Sequence, residues 1–84
     1  MIEQLRYTEH AADVREEREI PEEWIERVLT GPTLVEEPGD GTIHYIAPIA
    51  EHGDRLLRVV VADAPNPDRI VTLFFDRRLR RRMS

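Results

Sequence analysis

Four side chains in this sequence have types that suit a reaction: His10, His44, Arg58 and Thr72. Histidine takes up or gives back a proton near neutral pH, and arginine holds the charge that builds on a phosphate oxygen. Cleavage of RNA through its ribose hydroxyl needs those two roles and no metal. His10 or His44 would then move the proton. Arg58, helped by Arg18 or Arg77, would stabilise the phosphate, with Thr72 and Arg78 as further contacts to the substrate. Each residue also has a plainer reading. His10 is equally a surface residue of a helix, His44 an exposed strand residue, Arg58 the ion-pair partner of a helix carboxylate, and Thr72 an ordinary strand residue.

Other chemistries lack their residues. His10, His44 and His52 do not stand at ligand spacing, there is no cysteine, and the HExxH pattern is absent, so no metal site and no cofactor is expected. No GxSxG occurs, and Ser84 is the final residue. The glycines fall in turns, not in a phosphate loop.

The elements that must position these residues follow from pattern. Leu56 to Ala62 and Ile70 to Phe75 are two β-branched runs, separated by Ala64-Pro65-Asn66-Pro67-Asp68, which reads as a turn. Alternation puts Leu57, Val59, Val61, Val71, Leu73 and Phe75 on one apolar face. Leu56, Arg58, Val60, Ile70, Thr72 and Phe74 fall on the other, which should be the more open. Thr33 to Glu37 reads as a short strand and Pro38-Gly39-Asp40-Gly41 as a hairpin turn. The next strand, Thr42 to Ile49, places His44 on the face of Arg58 and Thr72; Pro48 marks an edge or a bulge. Upstream, Met1 to Tyr7 is an extended lead-in. Thr8 is the N-cap of a helix over Glu9–Glu19, packed through Ala11, Val14 and the stems of Arg15 and Arg18. Pro21 opens a second helix whose stripe is Trp24, Ile25, Val28 and Leu29, stopped by Gly31-Pro32. The expected fold is α+β: two N-terminal helices packed on one face of a four-stranded antiparallel meander sheet.

With 84 residues the chain has room for one domain, with 77–84 as a basic C-terminal end that is either solvated or folded onto the acidic helices. The net charge of -5 is asymmetric: residues 1–54 hold 4 Arg against 14 Asp or Glu, and residues 55–84 hold 8 Arg against 3. Net acidity argues against tight non-specific nucleic-acid binding. No apolar run is long enough for a signal peptide or a membrane span, and the absence of cysteine suits a reducing compartment, so a cytoplasmic protein is expected.

His10-Ala11, Arg18, Ile20, the helix ending at Leu29 with Pro32 beyond, Leu57-Arg58-Val59-Val60-Val61 and Ile70-Val71-Thr72 together resemble a family of small bacterial domains distantly similar to the RelE and BrnT toxins. Arg69-Ile70-Val71-Thr72 with Arg77-Arg78 is similar to the arginine-rich end of BrnT. The resemblance runs from about Thr8 to Arg78. It implies a compact RelE-like fold and, in the toxin branches, metal-independent RNA cleavage held off by an antitoxin protein. His10, Arg18, Arg58 and Thr72 are the positions that carry over. Glu19 departs from the glycine such sequences often place before the Ile, which raises the expectation of a different turn between the helices.

Two functions thus stand as expectations: an endoribonuclease of the toxin–antitoxin type, or a non-catalytic interaction module of the same fold that binds itself or a small protein. An RNA or DNA binder without catalysis is the third.

Overall fold

The computed structural model describes residues 6–63 and 69–76. Two helices, α1 (Glu9–Glu17) and α2 (Glu22–Thr30), lie on one face of a sheet of five strands: β1 (Arg6–Tyr7), β2 (Leu34–Glu36), β3 (Thr42–Ile49), β4 (Arg55–Ala62) and β5 (Arg69–Asp76). The spatial order is β1-β5-β4-β3-β2. The meander from β2 to β5 is antiparallel as expected, but the lead-in adds a fifth strand. Arg6 and Tyr7 pair parallel with Arg69 and Ile70, so the sheet is mixed.

The first helix is held at both ends by local chemistry. Thr8 Oγ1 accepts from the Ala11 amide at 3.1 Å and donates to the Val71 carbonyl at 2.9 Å, which caps α1 and ties its start to β5. At its other end the Ile20 amide reaches the Arg15 carbonyl and the Glu19 amide the Glu16 carbonyl. That pair of bonds is a Schellman motif, and it requires a left-handed residue between them. Glu19 supplies it with φ 53. The turn is therefore the one a glycine would make, not a different one, and Glu19 takes it at a steric cost. The helix stops at Glu17, two residues before the expected end.

The core lies between helices and sheet. Ala11, Ile20, Ile25 and Val28 pack on Ala47, Ile49, Leu57, Val59, Val61, Ile70 and Leu73, with Trp24, Leu29 and Tyr45 half-buried around them. Ile70 sits under the helices, not on the open face. The register shifts between Val60 and Val61: Val61 opposes Ile70 and Val60 opposes Thr72, leaving Val71 as the extra residue of a bulge. Simple alternation therefore fails at Ile70 and Val71 and holds for the rest of β5. Pro48 falls at an edge, one of the two alternatives expected of it, and not at a bulge. It opposes Leu56 on β4, and β2 begins only at Leu34, opposite Ile46, so no ladder bond is asked of its nitrogen on the other side. The face away from the helices is less open than expected: Ile46, Leu56 and Val60 are buried there.

Candidate functional site

Arg58 projects from the middle of β4 onto the face away from the helices, and only 8 % of it is exposed. A cation at such a depth needs partners. It finds three, on three other strands. Nε and Nη2 donate to Asp76 Oδ2 of β5 at 3.0 and 2.8 Å. Nη1 donates to Glu36 Oε1 of β2 at 2.8 Å. Nη1 also lies 2.8 Å from His44 Nδ1 of β3. Burial works against the charge, but Glu36 and Asp76 together outweigh it and hold the guanidinium above its usual range. One side chain thus links four of the five strands.

The contact with His44 settles how the network is directed. Arginine can only donate, so Nδ1 of His44 accepts and the ring proton sits on Nε2. That nitrogen is 3.2 Å from Thr42 Oγ1, which donates in turn to Asp40 Oδ1 at 2.5 Å. The Thr42 amide donates to the same oxygen at 3.1 Å. These bonds from Thr42 hold the Asp40 carboxyl below the usual carboxylate range. Pattern alone singled out no role for Glu36, Asp76, Asp40 or Thr42. The signal was present: Asp76 follows Thr72 and Phe74 at even spacing, and Thr42 precedes His44 by two, so all share one face.

His10 and Thr72 form a second, separate pair, with His10 Nε2 3.2 Å from Thr72 Oγ1. Thr72 and His44 both flank Val60, one from β5 and one from β3. Two strand spacings separate them, about 10 Å. The two histidines are therefore not within reach of one proton. Arg18 lies outside both groups. It caps the far end of α1, eight residues from His10, or about 12 Å along the helix axis. Arg77 and Arg78 lie outside the described residues. His52, expected only as part of a turn, stacks on Phe75 with centroids 4.6 Å apart and on Trp24 at 5.8 Å. Among the described residues no group of three or more His, Asp or Glu side chains is placed to hold a metal ion. No described helix is long and apolar enough to cross a membrane.

Fold and site together define a small α+β domain whose sheet carries a buried, internally paired arginine. The chain belongs to the family described as domain of unknown function DUF4258, whose model matches residues 7–75. No curated protein and no solved structure matches it.

Proposed function

We propose that this chain is a non-catalytic interaction module of RelE-like shape, acting by association with a second copy or with a small protein partner. One observation carries the reading: the cation that would have to receive a phosphate, Arg58, is already neutralised inside the fold by Asp76 and Glu36. Both ring nitrogens of its neighbour His44 are engaged as well. An incoming phosphate would have to displace two carboxylates from a buried guanidinium. The whole chain carries 12 Arg against 17 Asp or Glu, a net charge of -5, which also disfavours RNA. To test the reading, the purified chain is sized by light scattering, mixed with the product of its neighbouring gene, and incubated with total RNA and with messages under translation. A complex with itself or that product, with the RNA intact, is the expected result.

The metal-independent endoribonuclease, of the toxin type and checked by an antitoxin, is the second reading. The contact between His10 and Thr72 favours it, because it holds an exposed imidazole at the sheet beside a hydroxyl. RNA cleavage by the native chain that disappears in His10→Ala would establish that reading over the first.

A further inference from the structure

A cleft of about 330 Å3 opens between the end of α1 and the start of α2, lined by Ala12, Arg15, Glu16, Glu19, Ile20 and Pro21. Its chemistry is mixed. Ala12, Ile20 and Pro21 give it apolar walls. Glu16 and Glu19 are exposed beside them. Arg15 is half-buried, with its guanidinium carbon 5.6 Å from the centre of the Tyr7 ring. Its Nε is buried and has no hydrogen-bond partner among the described residues. A buried N–H without an acceptor is uncommon in a folded chain.

The occupant these features fit has one apolar side chain and basic neighbours. Arg77-Arg78-Leu79-Arg80-Arg81-Arg82 has that composition: a single leucine flanked by five arginines, with no acid among them. The charges match on the larger scale too, since the described residues carry 7 Arg and 15 Asp or Glu. We propose that this segment of a second copy docks in the α1–α2 cleft. Leu79 lies on the apolar walls, and the arginines beside it pair with Glu16 and Glu19. Arg15 opposes the incoming arginines, so the two glutamates are needed to make the cleft net negative. The assignment rests on the interaction-module reading and names its partner.

The contact is heterologous, since each copy offers one cleft and one segment. Sedimentation of the native chain should therefore show a mass that rises with concentration at low salt. The mass should return to that of the monomer at about 1 M salt, where charges are screened within about 3 Å. An excess of synthetic peptide with the sequence of residues 77–84 should cap the clefts and give the monomer as well. Two variants close the test: Glu16→Lys with Glu19→Lys spoils the cleft, and Leu79→Asp spoils the segment. Each alone should be a monomer with an unchanged circular dichroism spectrum. Mixed, they should form a one-to-one pair, because one good cleft then meets one good segment. A native chain that stays monomeric, an assembly that neither variant disturbs, or variants that fail to pair on mixing each overturn the docking. Those outcomes leave the module reading standing, which only RNA cleavage dependent on His10 removes.

Discussion

Arg58 and Asp76 are joined twice through one oxygen, Nε at 3.0 Å and Nη2 at 2.8 Å from Oδ2, across neighbouring strands and largely shielded from water. The Asp76 side chain is 3 % exposed and that of Arg58 10 %. The other acidic partner, Glu36, is 45 % exposed. The two carboxylates therefore respond differently to loss of the cation.

Removal of Arg58 takes from the buried Asp76 carboxylate its two bonds to Nε and Nη2, while Glu36 stays open to solvent. Breaking one side of a buried pair costs roughly 3 to 5 kcal/mol. Arg58→Ala should lose about that much in urea unfolding followed by Trp24 fluorescence. Arg58→Met combined with Asp76→Leu should recover most of it, since an apolar pair can replace a buried ion pair. Equal losses in the single and double variants would show that the arginine acts through some other contact.

Glu19 occupies the left-handed position of a Schellman turn. A non-glycine residue there costs about 1 to 2 kcal/mol, and glycine gives back part of that gain in chain entropy. Glu19→Gly should stabilise the domain by roughly 0.5 to 1 kcal/mol, read as a higher urea midpoint at unchanged slope. Glu19→Ala should gain nothing, because alanine keeps the Cβ.

Tyr7 donates to Glu22 Oε2 at 3.0 Å, and its hydroxyl is pushed up to about 12 by burial first and by that carboxylate second. The folded value lies above the ordinary 10.0, so the stabilising contribution is whole below pH 10 and is lost between there and about 12. Ultraviolet titration of a Tyr45→Phe variant should place the Tyr7 midpoint near that upper value. Glu22→Gln should lower it.

Arg27 grips Glu51 with two bonds, 2.7 and 2.9 Å. They hold the Glu51 carboxyl down at about 2, against an ordinary 4.5. The sign is the reverse of the tyrosine's: the contribution is present above pH 4.5 and lost as pH falls through about 2. Carbon NMR of the Glu51 carboxyl should titrate near the lower value and move back toward the ordinary one in Arg27→Gln. The pair is exposed, so the effect on overall stability should be small.

His44 should carry its ring proton on Nε2 when neutral, because Nδ1 accepts from Arg58. Nitrogen–proton correlation NMR distinguishes the two tautomers directly. A proton found on Nδ1 would remove the Arg58 contact from the network.

The linear pattern was enough for the helices, the four-strand meander and the shared face of His44, Arg58 and Thr72. Side-chain periodicity and capping are properties of neighbours in the chain, and Thr8, Trp24, Val28 and Val59 declare them locally. Three things waited for the folded chain. The parallel pairing of Arg6-Tyr7 with Arg69-Ile70 joins segments some sixty residues apart, and a two-residue strand has no period to read. The bulge at Val71 shows only when β4 and β5 are laid side by side, since register belongs to the pair. Above all, the sequence put an arginine on an uncovered face and left its partners open between a helix carboxylate and a phosphate. The tertiary structure gave it Glu36 and Asp76, drawn from strands on either side of it in the sheet. What a side chain faces follows from local geometry. What neutralises it depends on which distant strands the fold brings within three ångströms, and no local pattern encodes that.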